Sequence, residues 1–364
     1  MKDILIIIIF STIILNTTVD ASNTTDVQET AVIISNTIAI GESYAAVITE
    51  NGELWAWEHI WNAPPIMVMQ DVAAVYANRH EVYAVRTDGS MWGWYLHGIS
   101  MGIMSGVEPE KVMDNVAHVS VGHNGHVLVI DTDGLLWAFG HNNRGQLGDG
   151  TTTQRMQPVI IMDDVVMASA GYHHSAAIRS DGSVWTWGDN QSGQLGDGTR
   201  NSQLSPIKVM ENVAYVSAGD IATVVIKTDG SMWGWGLFAE TATPNDPDVD
   251  PVDPWGRAYY IIRTPAYPPH LIAENVRAVS RGHRHMVAIK DDGSLWAWGE
   301  NHSNSNHQEP VHIMEDAVAI TTFIRRTLAA TADGRLWFWQ WGEEDFPKQV
   351  LIEGSVKIQP KQGN

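Results

Sequence analysis

The chain has 364 residues, no cysteine, and 42 acidic against 22 basic side chains, for a net charge of −20. The missing thiols exclude a disulfide framework, cysteine nucleophiles and thiolate metal sites. The anionic field disfavours nucleic acid and anionic lipid surfaces but is compatible with a basic partner surface. Residues 1–21 read as a signal peptide: Lys2, then the apolar run Ile4–Leu15, then Val19-Asp20-Ala21 before Ser22. Such a run makes a helix of about 18 Å, short of the ~30 Å hydrocarbon core. An uncleaved anchor is the alternative. The expected product is secreted, free of the membrane after cleavage, and monomeric. Residues 22–30 are polar and Thr-rich and read as a flexible lead-in.

From residue 31 to 358 one pattern recurs. The glycines Gly52, Gly89, Gly134, Gly182, Gly230, Gly293 and Gly334 each follow Asp, or Asn51 in the first copy. Trp stands three residues after each, and a second aromatic two residues later, as in Asp181-Gly182-Ser183-Val184-Trp185-Thr186-Trp187. Asp-Gly between apolar runs predicts a hairpin with a two-residue type I′ turn. The two rings share a strand face, and the residue between them is usually Ala, Gly or Thr, which suits sheets stacked ridge into hollow. A small-residue strand such as Val213–Gly219 precedes each hairpin, and a Pro-led strand such as Pro206–Met210 follows it. Four short strands repeating about every 40–50 residues predict an all-β fold, a seven-bladed β-propeller with four-stranded blades. The small-residue strand is placed innermost. The first four expected blades end near Met69, Met113, Met162 and Met210, blade five holds one insertion over 238–270, and blade six ends near Met314. Both termini offer strands for ring closure, Ala31–Ile40 and Pro347–Ile358, and 359–364 form a tail.

Asn143–Thr151 and Gln191–Thr199 share the run Gly-Gln-Leu-Gly-Asp-Gly-Thr, and with the upstream Val-x-x-Val-Ser-Ala-Gly and His they resemble the regulator-of-chromosome-condensation repeat family. The resemblance spans about residues 31–358 and is most specific in blades three and four. It implies a seven-bladed propeller. For function it implies nucleotide exchange on a small GTPase, which this acidic chain without a matching wedge insertion does not favour. Secreted bacterial propellers of the same class imply instead an inhibitor of a secreted enzyme such as a β-lactamase.

The residues offer no catalytic motif: no Gly-x-Ser-x-Gly, no His-Glu-x-x-His, no phosphate loop. No catalytic residue, metal ligand or cofactor is assigned. His126, His174 and His285 recur just after the inner strand and read as loop-fixing residues. His123, His173 and His283 are less constrained and leave a Zn²⁺ or Cu²⁺ site open as an alternative. Asp246, Asp248 and Asp250 have Ca²⁺-loop spacing, but Pro251 and Arg257 stand where an EF-hand needs Gly and Glu. The loops after the inner strands vary most and carry Tyr44, His80, His123, Tyr172, His173, Asp220, His283, Arg284, Phe323 and Arg325. Inner strands running the same way deliver these residues to one face. With Trp255 of the insertion they form the candidate binding surface for a protein partner. The expected function is a non-enzymatic binding scaffold; the alternative is an extracellular hydrolase or lyase with its site at the channel mouth.

Overall fold

The computed structural model describes residues 38–40, 44–48, 51–58, 66–77, 81–95, 108–236, 269–281, 285–300, 306–323, 326–333, 335–340 and 348–350. The leader, the lead-in, the Asp246–Asp250 run, the tail and the site residues His80, Trp255, His283, Arg284 and Arg325 lie outside them. The described elements are all strands, and no described helix is long and apolar enough to cross a membrane. They form seven antiparallel sheets of four strands, each built from consecutive strands in the order one-two-three-four. In blade four these are Val165–Ala170, His174–Arg179, Val184–Gly188 and Gln203–Met210. Ile38–Ile40 is strand one of blade one and Lys348–Val350 is strand four of blade seven. Among the described residues, then, neither terminus lends a strand to the other's blade.

The hairpin turn differs from the two-residue form. Ile178 pairs with Val184, and Arg179 N–H donates to Ser183 O at 3.0 Å, so the loop is Ser180-Asp181-Gly182. Gly182 N–H donates to Arg179 O at 2.9 Å, and only the glycine takes positive φ, +76°. This is a three-residue turn with a left-handed glycine. Asp181 stays out of the left-handed region because its carboxylate has another task. Its Oδ1 accepts Ser183 N–H at 2.8 Å, and Ser183 Oγ accepts Trp185 Nε1–H at 3.0 Å. The same relay runs through Asp88, Ser90 and Trp92, and through Asp292, Ser294 and Trp296. The spacing Asp-Gly-Ser-x-Trp is thus a hydrogen-bond chain as well as a turn.

The turn also fixes the step to the next blade. Gly182 O accepts Val213 N–H, the first residue of blade five, at 2.9 Å, and Gly89, Gly134, Gly230 and Gly293 do the same for Val116, Val165, Val276 and Ala317. The residue before each new blade is left-handed Asp or Asn: Asp71, Asn115, Asp164, Asn212, Asn275 and Asp316, with φ from 58° to 60°. Asn and Asp tolerate that conformation better than other side chains.

Six apolar clusters lie between consecutive blades. Leu128, Ile130, Leu136, Ala138 and Leu147 of blade three pack with Val165, Ala168, Ala177 and Trp187 of blade four. Ala176, Ile178 and Val184 then pack with Val213, Val216, Val225 and Trp235 of blade five. The second ring packs with the small residue of the preceding blade where Trp94 clusters with Ala56 and Trp339 with Ala297. The first ring does not reach the core. Trp92, Trp185, Trp233 and Trp296 are half-buried. Each is covered by a cation, with Lys290 Nζ 4.9 Å from the centroid of Trp296.

Candidate functional site

Strand one runs into a Gly in blades three, four and five (Gly122, Gly171 and Gly219), and strand two begins with His in blades three, four and six. Those histidines are buried and clamp neighbouring blades. His126 Nε2 meets Ser175 Oγ at 3.0 Å, and Ser175 Oγ donates to Gln146 O at 2.8 Å, which also accepts Trp187 Nε1–H at 2.9 Å. One blade on, His174, Thr223, Gln194 and Trp235 repeat the arrangement at 2.9, 2.8 and 2.9 Å. His285 and Thr327 meet at 3.2 Å. Because the Ser175 and Thr223 hydroxyl protons go to the Gln carbonyls, His126 and His174 donate from Nε2. Burial pushes His126 and His174 down to about 3. Room for the rings comes from glycine: a Cβ on Gly122 would lie 2.5 Å from His126 Nδ1, and one on Gly171 would lie 2.4 Å from Gly219 O.

The Gly-Gln-Leu-Gly-Asp-Gly-Thr loops serve the same framework. Buried Asn142 accepts Leu147 N–H and donates to Asp149 Oδ1, Thr151 O and Thr153 O, and Asn190 does the same in blade four. The repeated Gly-Asp-Gly is turn chemistry.

Above this framework the loops between strands one and two present a different set. His123 Nδ1 of blade three stands 3.5 Å from Asp220 Oδ1 of blade five, so the loops of alternate blades meet across blade four. Asn124 Nδ2 contacts His173 Nδ1 at 3.2 Å, and the Tyr172 ring stands edge-on to His173 at 4.5 Å. Tyr172 and Ile221 are 40% and 38% exposed, large values for side chains of that size on loops this short. Burial lowers the His173 pKa, with Asp189 acting in the opposite sense. Beneath lies Arg281 of blade six, half-buried, its guanidinium packed against Gly219. A Cβ on Gly219 would fall 2.8 Å from Arg281 Cζ. Burial brings Arg281 down to about 10, opposed by the negative charge of Asp220.

His123, Tyr172, His173 and Asp220 are therefore brought together. For Tyr44 and Phe323 only the strand position is described, at the start of strand two of blade one and the end of strand one of blade seven. Asn124 and Ile221 stand in the loops that the sequence marked, beside His123 and Asp220; Arg281 was missed. Arg281 had a signal: it interrupts the series Ser120-Val121-Gly122, Ser169-Ala170-Gly171, Ser217-Ala218-Gly219 with Ser280-Arg281-Gly282. Among the described residues no three His, Asp or Glu side chains are placed to hold a metal ion.

Family models of the Regulator of chromosome condensation (RCC1) repeat match residues 133–178 and 181–226, and a second model of that repeat matches 116–146, 167–194 and 276–308. The chain carries RCC1 repeats. The matched stretches contain the His–Ser/Thr–Gln clamps and the Asn-centred loops. Protein RCC2 of Mus musculus is 33% identical over 93 residues, 24% of this chain and 16% of that protein, so the match spans a small part of the relative's length. Among solved structures, human WBSCR16 is similar with a TM-score of 0.62 and 19% identity over 80% of this chain and 85% of that one. Prp20p of Saccharomyces cerevisiae is similar with a TM-score of 0.60 and 19% identity, over 79% and 80%. At these identities the structural likeness shows the RCC1-type propeller fold and no more.

Proposed function

We propose that this RCC1-repeat propeller is a secreted binding scaffold that takes up a protein partner on the face formed by the loops between strands one and two. The observation that carries the reading is the separation of roles within each loop. His126 and His174 are buried and spent on the framework, while Tyr172, His123 and Ile221 stand out from it on one side. Exposed aromatic and aliphatic side chains over a rigid, hydrogen-bonded base are what recognition surfaces use. The Prp20p structure is described with its binding to Gsp1p and histones, a precedent for protein binding by this fold. Secretion rests on the leader at residues 1–21, and sequencing the N-terminus of the exported protein tests it.

A photo-crosslinking residue placed at Tyr172 should capture a specific protein from the producing culture, and one placed at Met156 on an outer strand should not. With the crosslinker at His123 instead, Tyr172→Ala with Ile221→Ala should abolish capture, and the double substitution should leave the melting temperature within about 2 °C, as expected of exposed side chains. Equal capture at both positions, or none at Tyr172, would sink the reading.

A further inference from the structure

His173 and Asp189 face each other at the loop end of strands two and three of blade four. His174 pairs with Gly188, and Asp189 N–H donates to His173 O at 2.9 Å, so the two are cross-strand neighbours one step beyond the register. Side chains at such positions are within reach of one another. Blade three has Gly125 and His141 at these places, joined by the same backbone bond at 3.0 Å. Blade five has Ile221 where blade four has His173. The backbone contact recurs with the framework; the histidine–carboxylate pair does not.

Asp189 is buried, and its Oδ2 accepts Gln194 Nε2–H at 2.8 Å. Its Oδ1 is closed off from solvent and has no hydrogen-bond partner among the described residues. A buried acceptor in that state costs free energy until a donor reaches it. His173 is turned to Asn124 instead. The amide nitrogen can only donate, so Nδ1 accepts at 3.2 Å and the ring is neutral, with its proton on Nε2. The Tyr172 ring leans edge-on against His173 at 4.5 Å. Tyr172 N–H is pinned to Gly219 O at 3.1 Å, which leaves the ring as the part that moves. Burial lowers the His173 pKa; of the charged groups facing it, Asp189 and Asp220 raise it while Arg144 and His141 lower it. His123 pairs with Asp220, which also counters Arg281, and burial keeps His126 and His174 neutral down to about 3.

We propose that His173 is an acid-driven switch of the loop face: protonated, its ring leaves Asn124 for Asp189 Oδ1, and Tyr172 loses the ring it leans on. A proton on Nδ1 sets two donors against each other at the Asn124 contact, whereas the imidazolium and the unpartnered carboxylate oxygen make a charge-assisted bond. The step is a proton taken from solvent and a side-chain rotation, and the backbone bonds stay in place. The consequence for binding rests on the reading of the loop face as the docking surface: a partner held against Tyr172 at neutral pH is released in acid.

The test is an NMR titration of protein carrying 15N-histidine and 13C-tyrosine, from about pH 7.5 to about 4.5, a window that spans histidine ionisation. At the upper end His173 should show a bare Nδ1 and a protonated Nε2. In acid both nitrogens should be protonated, and the Tyr172 ring signals should move with the same midpoint. Asp189→Asn blocks the acid arrangement, because its amide oxygen keeps the Gln194 bond and its NH2 then faces the histidine. In that variant the His173 midpoint should fall by about half a pH unit or more, and the Tyr172 signals should stay in place while His173 titrates. His173→Gln should make them indifferent to pH throughout. A photo-crosslinking residue at Ile221 should capture its partner at least tenfold better at the upper pH than at the lower, and equally at both in Asp189→Asn. A protonated Nδ1 at neutral pH, Tyr172 signals that ignore the titration, or a full Tyr172 response in Asp189→Asn would overturn the proposal. The spectra need no partner, so a titration as described with no capture at either pH would fault the docking surface and uphold the switch.

Discussion

Removing the Ser175 hydroxyl takes the acceptor from His126 Nε2–H and one donor from Gln146 O, all in a buried seam. A buried polar group left without its partner costs on the order of 1–3 kcal/mol, and Ser175→Ala strands His126 Nε2–H while Gln146 O keeps Trp187 Nε1–H. Ser175→Ala should therefore lower unfolding free energy by about 1–3 kcal/mol in urea melts, and Ser180→Ala, an exposed hydroxyl, by well under 1 kcal/mol. Equal effects would mean that the clamp is idle. At this scale the sequence was half legible. Recurrence of His126, His174 and His285 marked them as structural, because a framework residue repeats with the framework. Their partners did not announce themselves. Ser175 follows His174 of its own blade and Thr223 follows Ala222, yet each bonds the histidine of the blade before. Arg281 shows only as a break in the Ser-x-Gly series, and a break does not say what the odd residue packs against.

The hairpin shows the limit at the next scale. Asp-Gly between apolar runs located every described turn but not its length. The loop Ser180-Asp181-Gly182 has three residues, so only Gly182 needs positive φ, and the Asp181 carboxylate bonds Ser183 N–H; in blade three the same loop length goes with Leu135 N–H bonded to Asp131 instead. Turn chemistry and the step between blades then share one glycine: Gly182 φ is +76°, and its carbonyl holds Val213. Gly182→Val places a β-branched residue there, at a cost of about 1–2 kcal/mol or more. Asp181→Gly keeps the backbone accessible and loses only the Asx bond, about 1 kcal/mol. Differential scanning calorimetry should rank Gly182→Val below Asp181→Gly in melting temperature. The reverse order would mean that the carboxylate, and not the glycine, sets the turn. The left-handed Asp and Asn residues between blades were visible in sequence only as a polar pair before each Val. Their role depends on a hydrogen bond to a turn in the preceding blade, which local pattern does not contain.

Over the whole molecule the seams act together, and acid should reveal it. His126 and His174 are neutral and buried in two successive seams, with folded pKa values near 3 against about 6.5 for an unfolded histidine. A folded value below the unfolded one means that the unfolded chain binds more protons as pH falls. The stability these residues contribute is complete above about pH 6.5 and is lost as pH drops toward 3. Each removes up to about 1.4 kcal/mol per pH unit once the unfolded imidazole is protonated, so the pair gives a slope near 2.7 kcal/mol per unit below about pH 5.5. His118 and His173, also lowered by burial, add in the same direction. Carboxylates held low by hydrogen bonds, such as Asp149 and Asp197, act in the same sense but only below about pH 4. Between pH 5.5 and 4.5 the slope therefore belongs to histidine. Urea melts across that window should show it, and His126→Gln with His174→Gln should cut it by more than half while leaving a folded protein at pH 7, since the amide can still donate to Ser175 and Thr223. An unaltered slope in that variant would place the acid sensitivity elsewhere and leave the seams without their proton linkage.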